Sequence, residues 1–354
     1  MYEIILVLVA LLPAIVLCCY VYRKDRVEKE PIGFLLLLML LGALTAFPVV
    51  MVSEPVNYLI DGFFSLFAER TGSGLYLDDI PYSIYLFVSN TVGVACIEEG
   101  FKWLVLFFVT RKSKHFNSYF DGLIYAVFVS LGFAAFENIL YTFDYGFSTA
   151  LVRAFTAVPG HMFDGVIMGT FYSMWNIKNE AAKLENEFRK KGIIKVRKPI
   201  SGRSELILSY VLPVLAHGAY DYLCSESSWL SSVLFGALLA VLYITQFKRI
   251  SQMSREDAGE IGYAISLVCK KHPAVKALID AAMNNMPESA SYVKTASAGI
   301  RQTHRFNDFE FSIPAPPSGE PVDGNTPKPG ADPSSYTTDG QEKPFKIFVD
   351  ESQD

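Results

Sequence analysis

Apolar residues fill seven long runs in the first 250 positions of the chain, near residues 3–22, 32–53, 84–109, 119–143, 151–176, 206–224 and 228–247. Crossing a hydrocarbon core of about 30 Å takes roughly 20 helical residues, so each run predicts a membrane-spanning helix. The polar positions between the runs alternate in character. Arg23, Lys24, Arg26 and Lys29 follow the first run, and Arg111, Lys112 and Lys114 follow the third. Nine Lys/Arg lie between Lys178 and Arg203, and Lys248, Arg249 and Arg255 follow the seventh run. The intervening loops are nearly bare: between residues 54 and 83 only Arg70 stands against Glu54, Asp61, Glu69, Asp78 and Asp79. Basic residues collect on the cytosolic side, which predicts the N-terminus outside and the C-terminus inside. The first run has no basic residue before it and no small-residue cleavage pattern after it, so it is expected to be an anchor and not a removed signal.

Between residues 53 and 83, "LIDGFFSLFAERTG" predicts either an interfacial amphipathic helix or a loop packed on the bundle. Past residue 247 the pattern changes. Ile261, Ala264, Ile265 and Val268, then Val275, Leu278, Ile279 and Ala282, predict two short amphipathic helices broken at His272 and Pro273. From about Ser312 the chain is rich in Pro and Gly and too poor in large apolar groups to offset its ordering entropy. The expected organisation is a transmembrane core at 1–250, a cytosolic amphipathic helical segment at 251–311 and a disordered tail at 312–354. The terminal "PFKIFVDESQD" carries a small apolar cluster, a candidate docking segment for a cytosolic partner, though an unstructured end is the expectation.

Composition agrees with this picture: 51% of the 354 residues are hydrophobic and mean hydropathy is +0.28. The fold class is all-α, a polytopic membrane helix bundle of about seven transmembrane spans with a partly disordered cytosolic tail. The five cysteines form no CxxC and are expected to be free thiols. There is no P-loop, no dinucleotide-binding glycine pattern and no HExxH, and no nucleic-acid partner is expected.

Charges inside the runs carry the functional signal. "ACIEEGFKW", residues 95–103, places Glu98, Glu99 and Lys102 in the middle of the third run. Each charge at mid-bilayer costs about 2.5–3.5 kcal/mol even on insertion scales. Lys102 lies one turn beyond Glu98, so these two are expected to pair, with Glu99 turned about 100° away and free of that pair. "FAAFEN" sets Phe133 and Glu137 one turn apart with Asn138 beside them; "PGHMFDG" brings His161 and Asp164 to one face after a helix-loosening Pro-Gly; "HGAYD" does the same for His217 and Asp221. Counted at about 1.5 Å per residue, these groups fall within roughly 10 Å of one another in depth, so one shared cavity is expected. His115, His272 and His304 read as ordinary cytosolic surface residues, Asp121 as interfacial, and Phe133 as packing.

Such a cavity has the parts for hydrolysis. One of Glu98 and Glu99 takes a proton from water while the other, with His161 or His217, positions the water and stabilises the oxyanion. A divalent metal such as zinc is a candidate cofactor, with His161, His217 and Asp221 or Glu137 as ligands and a glutamate as base. Spacing alone leaves the two routes open.

In their order on successive helices, "EEGFK", "FAAFE" and "HGAYD" fit EExxK, FxxxE and HxxxD. In this the chain resembles the PrsW family of intramembrane proteases, in the wider CAAX prenyl endopeptidase-like superfamily, over roughly residues 30–247. His161 matches that family's additional histidine. The resemblance implies an intramembrane endopeptidase, glutamate- or metal-dependent, using Glu98, Glu99, Lys102, Glu137, His161, His217 and Asp221. It also implies a membrane-anchored protein substrate in the lipid bilayer, as in site-1 cleavage of an anti-sigma factor in regulated signalling, in a bacterial cytoplasmic membrane. Other classes compete. Glu98 and Lys102 read equally as a packing ion pair, and the histidines as interhelical hydrogen-bond donors. The same residues suit a proton- or cation-coupled transporter, although no internal repeat supports one. A signalling scaffold working through its tail is the third reading.

Overall fold

The computed structural model describes residues 2–26, 28–71, 74–76 and 79–284. Helices α1 (Tyr2–Lys24), α2 (Ile32–Leu44) and α3 (Ala46–Ser65) lead into a two-stranded antiparallel hairpin, β1 (Glu69–Thr71) and β2 (Gly74–Tyr76). After it, α4 (Asp79–Val88), a π-helical segment (Ser89–Ala95) and α5 (Cys96–Thr110) follow without interruption. Then come α6 (Asp121–Tyr145), α7 (Phe147–Phe155), α8 (Ala157–Lys190), α9 (Arg203–Ser225), α10 (Trp229–Arg255), α11 (Glu260–Lys271) and α12 (Pro273–Asn284). The expected disordered tail from 312, its terminal "PFKIFVDESQD" and His304 lie outside the described residues.

The chain divides into two compact units. Among the described residues, the first holds 2–116, 120–173 and 205–255; the second holds 117–119, 174–204 and 256–284. Compared with a linear boundary near residue 250, the second unit also takes in two segments that precede it in sequence.

In the first unit, α1, α2–α3 taken together, α6, α9 and α10 are long and apolar enough to cross a membrane. With the family established below, the protein is an integral membrane protein. The two other expected spans depart from plain apolar helices. The run at 84–109 is interrupted by the π segment and three charges, and the run at 151–176 is split at Thr156. The split has a backbone cause: Pro159 has no N–H to give the Phe155 carbonyl, and the Tyr243 hydroxyl takes that carbonyl at 2.8 Å. The expected loop at 53–83 also changes. "LIDGFFS" is the end of α3, so α2–α3 runs on from Ile32 to Ser65 with only a turn residue at Thr45.

Helix α6 is the centre of this unit, buried from Asp121 through Ala135 and packed against α1, α2, α5 and α7. Small residues allow the approach. A Cβ on Gly132 would fall 1.9 Å from the Met39 carbonyl oxygen of α2, and one on Gly169 of α8 would fall 2.5 Å from the Gly122 carbonyl oxygen. This close packing lets short polar side chains on α5, α6, α8 and α9 reach one another.

In the second unit, Ala181 and Phe188 of α8, Ile193 and Ile194 of the loop, Ala264 and Val268 of α11, and Val275 of α12 form one apolar core. Burying each large member contributes about 1.5–3 kcal/mol. The exposed pair Lys183–Glu180 lies within α8 and contributes at most about 1 kcal/mol, so it adds nothing to the docking of α11 and α12. His272, expected at the surface, is buried here because Glu185 receives its Nε2 at 2.7 Å.

Candidate active site

Glu98 and Glu99 open α5 directly after the π-helical segment. A π turn shifts the backbone hydrogen-bond pattern and is common at functional sites; here Asn57 Nδ2 of α3 donates to the Gly93 carbonyl at 3.3 Å while Ser89 Oγ donates to Asn57 Oδ1 at 3.1 Å. A Cβ on Gly93 would fall 2.0 Å from Asn57 Oδ1, and one on Gly218 of α9 would fall 2.6 Å from Thr91 Oγ1. Glycine at both positions lets α3 and α9 close on the segment, and the helix leaves it with Glu98, Glu99 and Lys102 all buried.

Lys102 Nζ lies 2.7 Å from Glu99 Oε1 and 3.3 Å from Glu98 Oε2. The expectation that Glu99 would stand free of the Glu98–Lys102 pair is therefore corrected. Both i,i+3 and i,i+4 neighbours reach a long side chain, and the shorter contact goes to Glu99. The same ammonium meets His161 Nδ1 at 3.2 Å and lies 4.0 Å from the centre of the Phe133 ring. Phe133 thus covers the cation as well as packing against Ala46 and Val49.

The histidines differ in their partners. His161 of α8 turns Nε2 to Glu137 Oε2 at 2.9 Å, so one nitrogen faces a carboxylate and the other an ammonium. His217 of α9 turns Nδ1 to Glu99 Oε1 at 2.9 Å and Nε2 to Asp221 Oδ2 at 3.2 Å, so both face carboxylates, an arrangement satisfied when both carry hydrogen. The imidazole centroids are 5.2 Å apart. Asp164 does not follow His161 to one partner; its Oδ2 approaches His217 Nδ1 at 3.9 Å.

All seven residues singled out from the sequence lie in this one chain of contacts. The compact donor group is narrower: Glu98, Glu99, His161 and His217 each bring a ligand atom within 4.8 Å of the others. Asp221 and Glu137 lie outside this group, each facing a histidine: Asp221 Oδ2 is 3.2 Å from His217 Nε2 and Glu137 Oε2 is 2.9 Å from His161 Nε2. Arg153 of α7 was missed altogether; its NH2 lies 2.6 Å from Glu137 Oε2. The available signal was a lone arginine at the start of an apolar run on the side otherwise bare of basic residues.

Buried carboxylates, imidazoles and an ammonium converging from four helices of a membrane bundle are the equipment of an intramembrane hydrolase. The chain belongs to the PrsW family: the family model described as PrsW family intramembrane metalloprotease matches residues 30–247. Protease PrsW of Halalkalibacterium halodurans is 34% identical over 249 residues, covering 70% of this chain and 97% of that protein. Protease PrsW of Oceanobacillus iheyensis is 31% identical over 242 residues, 68% and 93% of the two chains, and that of Bacillus subtilis is 30% identical over 219 residues, 62% and 82%. No solved structure matches the chain significantly. Family membership sets aside the transporter and scaffold readings in favour of an intramembrane protease.

Proposed function

We propose that the protein hydrolyses a peptide bond of a membrane-anchored protein at this buried centre, with Glu98 as the general base. The observation that carries the reading is the gathering of two carboxylates and two imidazoles within 4.8 Å inside an apolar bundle. Glu99 Oε1 is already engaged by Lys102 and His217, and the Glu99 side chain is fully buried. The Glu98 side chain is 10% exposed, which makes it the carboxylate a water can reach. In this reading Glu98 takes the proton from the attacking water and returns it to the leaving amine. Lys102 balances the two carboxylates, its three hydrogens directed at Glu98, Glu99 and His161. Glu99 and Asp221 orient His217, and Glu137 orients His161.

The residues present fit a metal as well. Glu99 Oε2 is buried without a hydrogen-bond partner among the described residues, and a carboxylate with two imidazoles is a donor set that suits zinc. Glu99, His161 and His217 would hold it, His217 giving up the hydrogen on one ring nitrogen to do so, and a bound divalent ion would supply Lewis-acid polarisation of the scissile carbonyl and activation of the water. The substrate class is a protein with a transmembrane anchor, such as an anti-sigma factor cut at a first site. The loop charges favour the N-terminus outside and the C-terminus in the cytosol, and membership of the PrsW family favours a bacterial cytoplasmic membrane.

The test compares new N-termini in the membrane proteome of cells carrying the wild-type protein or Glu98→Gln at matched folded levels. A set of juxtamembrane cleavages absent from the variant supports the reading and identifies substrates; unchanged termini overturn it.

A further inference from the structure

Arg153 lies outside the polar patterns that mark the site in sequence, yet its guanidinium ends the chain of contacts that runs into it. The residue sits in the last turn of α7, a helix of nine residues bounded by Gly146, with φ of 83°, and by the break at Thr156. The bend at Gly146 returns the chain so that Arg153 meets α6 sixteen and fifteen residues back, at Glu137 and Asn138. NH2 donates to Glu137 Oε2 at 2.6 Å, Nε donates to Asn138 Oδ1 at 3.1 Å, and the group lies 4.0 Å from the centre of the Tyr141 ring. Asn138 is itself fixed, because its Nδ2 donates to the Ala10 carbonyl at 2.8 Å, which turns its oxygen toward Arg153. The Arg153 side chain is 14% exposed.

Two donors therefore converge on one oxygen, Glu137 Oε2: Arg153 NH2 at 2.6 Å and His161 Nε2 at 2.9 Å. An oxygen used in this way requires hydrogen on His161 Nε2, and a neutral imidazole with hydrogen there presents a bare lone pair at Nδ1. That Nδ1 is the atom turned to Lys102 Nζ. We propose that Arg153 is a positioning residue for the reaction: it clamps the Glu137 carboxylate in the orientation that keeps the His161 hydrogen on Nε2 and its Nδ1 lone pair turned into the cluster. Arg153 acts through Glu137 and touches no reacting atom. The guanidinium fork is required, because the ammonium of a lysine is a point charge that cannot span Glu137 and Asn138 in one plane. The inference rests on the reading of the cluster as the catalytic centre.

The experiment uses the full chain in lipid nanodiscs with nitrogen-15-labelled histidine, the His161 signals being assigned by their loss in His161→Gln. Wild-type protein and Glu98→Gln are expected to show His161 as the Nε2–H form alone. Arg153→Gln and Arg153→Lys are expected to show the Nδ1–H form or a mixture, with helical content unchanged. In cells, the cleavages that depend on Glu98 are expected to slow at least tenfold in both arginine variants. An unchanged single Nε2–H form in Arg153→Lys overturns the proposal, and that variant carries the test alone if Arg153→Gln fails to fold. Failure of the catalytic reading would show separately, as cleavages indifferent to Glu98→Gln while the histidine signals still report on Arg153.

Discussion

The two units each bring an ammonium and an imidazole onto one glutamate oxygen. In the membrane-spanning unit, Glu99 Oε1 meets Lys102 Nζ at 2.7 Å and His217 Nδ1 at 2.9 Å. In the second unit, Glu185 Oε1 meets Lys271 Nζ at 2.6 Å and His272 Nε2 at 2.7 Å. The difference lies in the second oxygen. Glu185 Oε2 accepts the Ile200 backbone N–H at 2.7 Å, so every lone pair directed at the protein has a use, and the cluster is a staple joining α8, the following loop and α11–α12. Glu99 Oε2 is buried with no hydrogen-bond partner among the described residues, and a second carboxylate, Glu98, stands beside it. The same residue types are closed in one place and open in the other. An unsatisfied buried oxygen costs about 1–3 kcal/mol, a cost that the staple avoids and the centre retains.

The largest effect expected from this contrast is catalytic. Glu99→Gln is expected to lower proteolysis at least 100-fold, on the scale of lost acid–base and electrostatic terms, while the thermal midpoint of the detergent-solubilised protein stays within a few degrees. A large fall in folded protein with normal turnover per folded molecule would show instead that the membrane cluster is also a staple. Next in size, Glu185→Ala is expected to cost about 2 kcal/mol, because His272 and the Ile200 N–H lose their acceptor. Hydrogen exchange should show lost protection in α11–α12, with cleavage rate per folded molecule unchanged. If the cleavage rate falls in proportion, the two clusters are not separable.

The smallest effects are in pH dependence, and they have opposite signs. The Glu185 carboxyl is held below its usual value of 4.5: its burial acts upward, but the hydrogen bonds from His272, Lys271 and Ile200 outweigh it. Its stabilisation is therefore complete above 4.5 and is lost as pH falls below that value. Glu30 lies in the loop before α2, where burial and then the Asp121 carboxylate push it up to about 9, against the hydrogen bond it receives from Tyr125. Its contribution is complete below 4.5 and is lost as pH rises toward 9. Thermal melts against pH should show Glu30→Gln flattening the alkaline limb alone. Flattening of the acid limb by that variant would contradict the assignment.

What the sequence revealed follows from what charge costs in each place. Glu98, Glu99, Lys102, His161 and His217 stand out because a polar group in the middle of an apolar run is expensive, so its presence signals a partner. Arg153 lies at the edge of its run, where charge is cheap, and its partner on α6 is reached only through the bend at Gly146, which no periodicity encodes. The Glu99–Lys102 contact was misjudged because angular offset on a helix describes Cβ positions, not the reach of a four-carbon side chain. His272 was placed at the surface because apolar periodicity marks the core of α11–α12 but says nothing of a polar group 87 residues from its acceptor. The break at Thr156 depended on the tertiary partner Tyr243 as much as on Pro159.

The separation in sequence between α5 and its partners also constrains how the protein is made. Lys102 finds His161 59 residues further along the chain, and Glu99 finds His217 118 residues further. At about 5–20 residues per second, the second interval is roughly 6–24 s of synthesis. Until His161 emerges, α5 has only its internal ion pairs to offset three charges, so it is a poor candidate for stable residence in lipid. The carboxylate–imidazole contacts of the centre are complete only once α9 has been made.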